Sequence, residues 1–272
     1  NGTAYRCFLQ KDELDKLRQE SDKKKVIFRV PQTYRNLSSI EQKKLIDEGK
    51  SYTVRIKVPD GETEFNDMVY GSIKVQNKDL DDFIIARSDG SPTYNFVVAV
   101  DDADMNISHV IRGDDHLANT PKQILVYKAL GLNTPTFAHL PMILGSDKKR
   151  LSERHAATNV QEYKDKGFTP KVILNYLSLL GWNPDSEKEI FDQNELINSF
   201  QFKQVQKKSA VFDEKKLLWI SQQHLSEMSV RDLMNEIYTL NPEWGDGLEW
   251  DYLKEVVKLI KDRSKTITEI TS

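Results

Sequence analysis

The sequence predicts an α/β protein in three blocks, and each block supplies one observation for that class. Apolar and polar residues alternate within residues 1–86, which predicts strands of a small mixed α/β unit. A strand, a helix and a strand follow one another within about 35 residues of the middle block, 87–160, and predict a parallel sheet. Residues 161–272 carry apolar residues at helical spacing and predict an all-α domain.

Two helices are predicted in the first block. The charged segment 11–20 has leucines three residues apart and predicts a short surface helix. Ser38 and Glu41 have the spacing of a capping box, and Gly49 supplies a left-handed end, so a second helix is expected between them.

Strands make up the rest of that block. The alternation over 52–58 predicts a half-buried strand with Arg55 on its polar face, ending at the Pro-Asp-Gly turn of 59–61. Residues 69–75 and 83–85 predict further strands.

The middle block supplies the strand–helix–strand unit. A helix is expected to open at Ser91-Pro92, and residues 109–111 predict a short buried strand in which His109 is a core or structural histidine. Residues 120–123 have the pattern of a second capping box with Pro at the first helical position, and Gly131 ends that helix. Residues 138–144 predict the next strand.

The last block predicts a series of amphipathic helices. One opens at Thr169-Pro170 and closes at Gly181, and the others are predicted over 211–220, 229–240 and 251–261. The last of them carries one apolar stripe, formed by Leu253, Val256, Val257 and Ile260. Such stripes indicate helix packing and not a cofactor site.

Composition and charge exclude several classes of protein. The 272 residues include 39 Lys and Arg against 42 Asp and Glu, a formal net charge of −3, which argues against a purely electrostatic nucleic-acid binder. No apolar run approaches the roughly 18 residues of a membrane helix, so no membrane partner is expected. The single cysteine, Cys7, rules out an internal disulfide and a four-thiolate zinc site, and fits a cytoplasmic protein.

The ends of the chain lack the marks of a complete protein. The sequence starts Asn1-Gly2-Thr3, with neither an initiator Met nor a signal peptide, and residues 268–272 stop without a helix-terminating residue. An internal piece of a longer polypeptide is therefore expected.

The segment 112–116, Arg-Gly-Asp-Asp-His, lies between a predicted strand and a predicted helix, at the edge where parallel sheets bind ligands. Arg112 has the geometry to grip a carboxylate or a phosphate. The alternative is an arginine and aspartate pair that only holds the loop together. Adjacent aspartates seldom point at one ion, so a metal site at Asp114 and Asp115 is the least favoured interpretation.

A second candidate is the basic loop 146–155, which places five cationic or potentially cationic side chains after a strand. Such a loop suits a polyphosphate, whose charge grows in the transition state. A solvated charged connector explains the same residues equally well. The chain contains no HExxH, GxGxxG, GxxxxGK[ST] or GxSxG pattern, which disfavours zincin, dinucleotide, P-loop and hydrolase functions.

Taken together in order, these stretches resemble bacterial glutamyl-tRNA synthetase. The resemblance rests on residues 89–96, 100–102, 109–117, 119–125, 150–155 and 209–219. It implies the second half of a class I Rossmann-like nucleotide-binding domain, preceded by a connective α/β insertion and followed by helices that contact the tRNA acceptor stem. The implied reaction activates glutamate with ATP and transfers it to the 3′ end of tRNA-Glu.

The resemblance also assigns roles to particular residues. It implies that Tyr94 and Arg112 hold glutamate, and a guanidinium suits a carboxylate substrate. Positions near the adenosine and the tRNA terminus fall on Asp115 and His116, and backbone contacts to ATP fall on Met142 and Ile143. The catalytic signature loop, which neutralises the triphosphate of Mg²⁺-bound ATP, is formed by Arg150, Leu151, Ser152, Glu153 and Arg154.

One departure from the family lies in that loop. Glu153 stands where the family carries its second lysine, and a carboxylate repels phosphate oxygens. The hypothesis is that Glu153 weakens adenylate formation, with Arg150 and Arg154 or Lys148 and Lys149 as compensating cations. An unchanged rate of ATP–pyrophosphate exchange in a full-length Glu153→Lys variant contradicts it.

Two other departures concern missing parts. Cys7 aligns with the first ligand of the zinc-binding knob that some members carry, but Leu9 occupies the next ligand position, so no structural zinc is predicted. The His-Ile-Gly-His signature and most of the anticodon-binding domain are expected outside the chain. The fragment alone is therefore expected to be inactive.

Several alternatives stay open. A glutaminyl-type synthetase or a shortened paralogue that modifies a tRNA base has related motifs, although the helices after Gln161 argue against the paralogue. A non-catalytic tRNA-binding module is the alternative from another class. A monomer is expected for the full-length protein, and tRNA-Gln stays open as a second acceptor.

Overall fold

The computed structural model describes residues 2–26, 28–151 and 159–272. It divides into two compact units, Asn1–His139 and Leu140–Ser272. The boundaries predicted near residues 86 and 160 mark changes in composition and stay a prediction. None of the helices in the described part of the chain has both the length and the apolarity that a membrane span requires.

The first unit combines four helices with seven strands among its described residues. Their bounds are β1 (Ala4–Cys7), α1 (Lys11–Lys23), α2 (Ser39–Asp47), β2 (Thr53–Ile56), β3 (Glu62–Asp67), β4 (Gly71–Gln76), β5 (Ile84–Ala86), α3 (Tyr94–Asp104), β6 (His109–Gly113), α4 (Thr120–Leu130) and β7 (Thr136–Leu140). The mixed α/β class that the sequence predicts is confirmed.

Local capping explains why α2 begins and ends where it does. The Ser38 hydroxyl accepts the amide of Glu41, and the Glu41 carboxylate accepts the amide of Ser38, as the capping box predicts. Just beyond its end, Gly49 has φ of 75°, a conformation that costs glycine little.

One sheet of this unit has the order β1-β2-β5, and its strands pair antiparallel. The register shifts between Val54 and Arg55, so the prediction that Arg55 lies on a polar outer face is wrong. Its side chain is buried, and Nη1 donates to the carbonyl of Asp82 at 2.5 Å. A bulge changes which face a side chain takes, which simple alternation does not register.

The second sheet has the order β4-β3-β7-β6. Helix α4 connects β6 to β7, as the strand–helix–strand pattern predicts, and β3 pairs parallel with β7 where Asp67 meets Phe137. Strand β3 has no apolar alternation and was not expected from the sequence. Its inner face carries Thr63, Phe65 and Asp67, two of which are polar.

Two predicted boundaries and one prediction of burial are wrong for elements of the middle block. Helix α3 begins at Tyr94 and not at Ser91, because Pro92 still forms an extended bridge with Ala86. The strand predicted over 138–144 is interrupted at Pro141, which has no amide hydrogen for a ladder. Strand β6 is only partly buried, and Ile111 is 51% exposed.

The second unit is mainly helical in its described residues. Its elements are β8 (Ile143–Leu144), α5 (Val160–Asp165), α6 (Pro170–Leu179), α7 (Gln193–Ser199), β9 (Ala210–Val211), α8 (Glu214–Glu227), α9 (Val230–Leu240), α10 (Trp250–Ile260) and α11 (Ile267–Thr271). The predicted opening of α6 at Thr169-Pro170 is confirmed. Helix α8 begins later than predicted, because Asp213 caps it through the amides of Lys215 and Lys216.

Apolar stripes hold α8, α9, α10 and α11 together. We call their shared core the helical cluster, which consists of Leu225, Leu233, Met234, Ile237, Leu253, Val257, Ile267 and Ile270. Of the stripe predicted on α10, Leu253 and Val257 are buried in this cluster and Ile260 packs against it. The prediction that this stripe serves helix packing agrees with these contacts.

Candidate functional site

Arg112 lies near the end of β6, and its guanidinium is held by three side chains. Nε donates to Nε2 of His139 at 3.2 Å, and Nη2 donates to Oγ1 of Thr120 and to Oε1 of Gln123, each at 2.8 Å. The guanidinium also lies over the ring of Phe137, 5.7 Å from its centroid. These bonds use the N–H of Nε and both N–H groups of Nη2, and the Tyr94 hydroxyl also bonds to the guanidinium, so a ligand would meet it at Nη1 beside Tyr94.

His139 continues the chain of contacts into the sheet. Its side chain is fully buried, and Nδ1 lies 2.6 Å from Oδ2 of Asp67. The other carboxylate oxygen of Asp67 accepts the amides of Val69 and Tyr70 at 2.9 Å and that of His139 at 3.3 Å. We call Asp67, Thr120, Gln123 and His139, together with Arg112, the arginine network.

Electrostatics of the network follow from burial and hydrogen bonding. Burial lowers the pKa of His139, against the opposing effect of Asp67, so the imidazole is neutral at pH 7. Burial by itself would raise the pKa of the Asp67 carboxyl, but the hydrogen bonds from Tyr70, His139 and Val69 outweigh it and lower that pKa. The network therefore carries one anion and one cation, separated by a neutral ring.

Tyr94 and His116 lie at the exposed end of the network. The Tyr94 hydroxyl is 3.3 Å from Nδ1 of His116, and the two rings lie 5.8 Å apart. Tyr94 also acts on Arg112: burial lowers the pKa of the guanidinium, and the phenol oxygen opposes that shift. Tyr94, Arg112 and His116 are thus brought together, while Asp115 beside them is exposed.

The second predicted capping box is wrong. Asn119 precedes α4 without a side-chain cap, and Thr120 is already helical. The Thr120 hydroxyl and the Gln123 amide bind Arg112 instead of the helix amides. A threonine and a glutamine at this spacing are typical of a capping box, but here both side chains bond to Arg112. Helix α4 begins at Thr120, one residue before the predicted start at Pro121, and the predicted end at Gly131 is confirmed.

The interpretation of Arg112 as one half of a loop pair with its neighbouring aspartate is also not supported. Asp114 accepts the hydroxyl of Tyr70 at 2.8 Å, and burial followed by this bond raises the pKa of Tyr70 to about 12. Arg112 bonds to His139, Thr120 and Gln123 instead.

Sequence reasoning selected the wrong histidine as the structural one. His109 is exposed, and its Nδ1 contacts Oγ of Ser108 at 3.0 Å. Of the histidines in the described residues, His139 is the fully buried one, and the sequence pattern does not single it out. A histidine within the apolar strand β7 was the available signal, but its partner Asp67 is 72 residues away.

In the second unit, the start of the basic loop forms a tight hairpin. The amide of Leu151 donates to the carbonyl of Ile143 at 2.9 Å, and the amide of Gly145 donates to that of Lys149 at 2.8 Å. Arg150 forms a bridge with Leu144. Met142 precedes this hairpin and is half-buried, whereas Ser152, Glu153 and Arg154 lie outside the described residues.

The hairpin is supported by the helical part of its own unit. Strand β8 pairs parallel with β9, so that Ile143 is matched with Ala210 and Leu144 with Val211. The amide of Phe212 donates to the carbonyl of Leu144 at 2.8 Å. The backbone ahead of the signature loop is thereby fixed.

Cys7 is buried beside Tyr5 and Val30. Within the described residues, no group of three or more His, Cys, Asp or Glu side chains is placed to hold a metal ion. The absence of a structural zinc stays a prediction.

Comparison with known proteins assigns the family. Residues 1–219 match the family of tRNA synthetases class I (E and Q), catalytic domain. The chain is 42% identical to glutamate–tRNA ligase 2 of Caldicellulosiruptor saccharolyticus over 273 residues, and 45% identical to glutamate–tRNA ligase of Aquifex aeolicus over 274 residues. Each alignment covers 99% of this chain, but only 57% and 58% of those relatives.

Solved structures agree with the sequence matches. The fold is similar to a glutamate tRNA ligase from Elizabethkingia meningosepticum, solved in complex with its amino acid, with a TM-score of 0.85 and 31% identity. That match covers 99% of this chain and 59% of the other. The glutamate-tRNA synthetase of Elizabethkingia anophelis gives a TM-score of 0.81 at 31% identity, covering 98% and 59%. The chain therefore belongs to the class I tRNA synthetases of the glutamate and glutamine group.

Proposed function

We propose that the protein carrying this chain is a glutamyl-tRNA synthetase, which activates glutamate with ATP and transfers it to the 3′ end of tRNA-Glu. Family membership and the named relatives support this reaction class. The observation that carries the choice of glutamate is Arg112, whose guanidinium is fixed at Nε and Nη2 and offers Nη1 beside Tyr94. A fixed cation next to a phenol hydroxyl suits a carboxylate.

The fixed orientation sharpens the role expected of Arg112. A carboxylate usually meets arginine through two parallel bonds to a fork. Here Nε and Nη2 are engaged with protein groups, so the substrate carboxylate binds the two protons of Nη1, with the Tyr94 hydroxyl as a further donor. This arrangement costs little on binding because the arginine is already held in place.

ATP with Mg²⁺ is the proposed second substrate. The backbone of Met142 and Ile143 would contact the adenosine, and the side chains of the signature loop would face the triphosphate. The Ile143 carbonyl already accepts the Leu151 amide, so the hairpin is preorganised before ATP binds. Asp115 and His116 are proposed to lie near the adenosine and the tRNA terminus.

The finer features of the assignment are part of the same proposal. The full-length protein is proposed to be a cytoplasmic monomer that needs no structural zinc. Whether tRNA-Gln is a second acceptor is decided by titrating the full-length protein with both transcripts. Charging of both identifies a non-discriminating enzyme.

ATP–pyrophosphate exchange by the full-length protein tests the proposal. Exchange should require glutamate and tRNA-Glu together, because the resemblance implies a glutamyl enzyme that activates its amino acid only with tRNA bound. Exchange with glutamine in place of glutamate identifies a glutaminyl-type enzyme, and exchange without tRNA favours the tRNA-modifying paralogue. Binding of tRNA without any exchange identifies a non-catalytic module.

Arg112→Gln gives the residue-level test. Losing the charge that faces the carboxylate should reduce kcat/KM for glutamate by about 100-fold, as for removal of one member of a desolvated charge pair. Arg87→Gln is the matched control, because Arg87 is an exposed arginine of the same unit. Equal activities of the two variants contradict the proposed role.

A further inference from the structure

The partners of His139 determine which ring nitrogen carries its proton: Arg112 and the Thr120 hydroxyl face Nε2, and Asp67 faces Nδ1. Arginine Nε carries a hydrogen and only donates, so the Nε2 of His139 that faces it at 3.2 Å must present a lone pair. The proton of the neutral ring therefore lies on Nδ1, where it donates to Oδ2 of Asp67 at 2.6 Å. The partners assign the tautomer without any reference to function.

Asp67 is itself fixed in one orientation. Its Oδ1 accepts three backbone amides, those of Val69, Tyr70 and His139. Asp67 is 3% exposed and its side chain is fully buried, at the end of β3 where that strand pairs with β7. Its second oxygen is thereby aimed at Nδ1 of His139, and water does not compete for it.

The other tautomer and the imidazolium are both unfavourable here. A proton on Nε2 would set two donors against each other at the contact with Arg112, and the Thr120 hydroxyl oxygen, 3.1 Å from Nε2, already accepts a bond from Nη2 of that arginine. A doubly protonated ring would place a second buried cation beside the guanidinium. Asp67 excludes the first arrangement by requiring a donor at Nδ1.

We infer that Asp67 and His139 are positioning residues for the glutamate-binding arginine: Asp67 selects the Nδ1–H tautomer, and His139 then fixes Nε of Arg112 so that Nη1 points at the substrate carboxylate. This inference rests on the proposed function. Neither residue touches the substrate, so both act through the orientation of Arg112. Thr120 and Gln123 hold Nη2 of the same guanidinium, and His139 supplies the contact at Nε.

The first test measures the tautomer directly in the 272-residue chain. Long-range ¹⁵N–¹H spectra distinguish Nδ1–H, Nε2–H and doubly protonated histidine, and the His139 signal is assigned by its loss in His139→Gln. The expected result is the neutral Nδ1–H form at neutral pH. An Nε2–H tautomer or an imidazolium at neutral pH overturns the inference.

Asp67→Asn separates positioning from packing. The asparagine Oδ1 can keep the three backbone amides, while its NH₂ replaces the oxygen that faces His139. Nδ1 must then accept, so the proton moves to Nε2 and opposes Arg112. In the full-length protein, KM for glutamate should rise about 10- to 100-fold, the range of a lost hydrogen bond to a charged group. KM for ATP should stay within about twofold.

Two substitutions of His139, one that removes its hydrogen bonds and one that can keep them, test the same inference. Leucine removes both contacts and should raise KM for glutamate as Asp67→Asn does. In His139→Gln, the side-chain carbonyl can accept from Arg112 and the side-chain NH₂ can donate to Asp67. KM for glutamate should therefore stay within about threefold of wild type. Should His139→Leu fail to fold, Asp67→Asn and His139→Gln decide the question.

Thr63→Val is the control for a buried polar loss in the same strand. Thr63 is fully buried in β3 and donates to Oδ1 of Asn77 at 2.6 Å, outside the arginine network. Its variant should lose stability and keep a wild-type KM for glutamate. If Asp67→Asn matches Thr63→Val in KM, the positioning role is refuted. A wild-type protein without glutamate-dependent exchange refutes the proposed function instead, so the two failures are distinguishable.

Discussion

The arginine network of the first unit consists of polar side chains joined by hydrogen bonds, whereas the helical cluster of the second consists of buried apolar side chains. In the network, directional hydrogen bonds fix one guanidinium, and each contributes about 1.5–3 kcal/mol net because the donor is charged. In the cluster, side chains such as Leu233, Met234 and Ile237 are fully buried without polar contacts. Apolar burial stabilises in proportion to area and has no direction. The first region should control where a group points, and the second should control whether the unit folds.

The largest expected effect tests the apolar side of that comparison. Ile237→Ala removes a fully buried side chain from the helical cluster and should reduce the free energy of unfolding by about 2–5 kcal/mol. Denaturant unfolding followed by circular dichroism measures it. A loss below about 1 kcal/mol would show that the cluster closes over the cavity and is less rigid than its packing indicates.

A neighbouring pair on α10 sharpens the comparison within one helix. Val257 is fully buried in the cluster, whereas Val256 next to it is half-buried and lies outside the cluster. Val257→Ala should cost about 2 kcal/mol and Val256→Ala well under about 1 kcal/mol, because only the first leaves a cavity. The two substitutions are the same and lie at adjacent positions. Equal losses of stability would contradict the assignment of Val257, and not Val256, to the helical cluster.

The smallest effect concerns pH and tests the polar side. A histidine whose pKa is lowered by folding binds its proton more readily in the unfolded chain. His139 therefore contributes stability that is complete above the ordinary histidine pKa of about 6.5 and is lost as pH falls toward the lower pKa of the folded state. The lowered pKa of Asp67 acts in the same direction, but only below about pH 4.

Hydrogen exchange checks this dependence locally. The amides of Val69 and Tyr70 bind Asp67, so their protection factors should decrease between about pH 7 and pH 5, the interval around the ordinary histidine pKa. Amides of α9 should not follow that decrease. The groups facing His139 are Asp67, Arg112 and the Thr120 hydroxyl, with a weaker influence of Asp114. In His139→Gln the decrease should disappear, and its persistence would assign it to another group.

Local chemistry made part of the fold predictable. The ends of α2 and the start of α6 depend on caps, prolines and glycines within a few residues of the helix, and these signals were correct. Strand β3 was missed because its buried face includes Thr63 and Asp67, whose partners come from distant parts of the chain. The spacing of apolar residues predicts a strand whose buried face is apolar, and it cannot predict one whose buried face is polar.

The candidate site shows the same division. Arg112 was identified from its place after a strand, and Tyr94 from the family resemblance. Thr120 and Gln123 were misassigned to a cap, since a local motif and a tertiary contact can use the same two residues. His139 was overlooked because the signal that defines it, a carboxylate 72 residues away, exists only in the folded chain.

The arginine network also constrains how the sequence can change over generations. Arg112 has its Nε and Nη2 protons committed to three acceptors, and His139 is committed in turn to Asp67. A lysine at position 112 has a single ammonium head and cannot reach all three acceptors at once. Most single replacements in the arginine network leave a buried polar group without its partner. Its five positions therefore form an epistatic unit, in which a change tolerated at one position depends on the residues at the others.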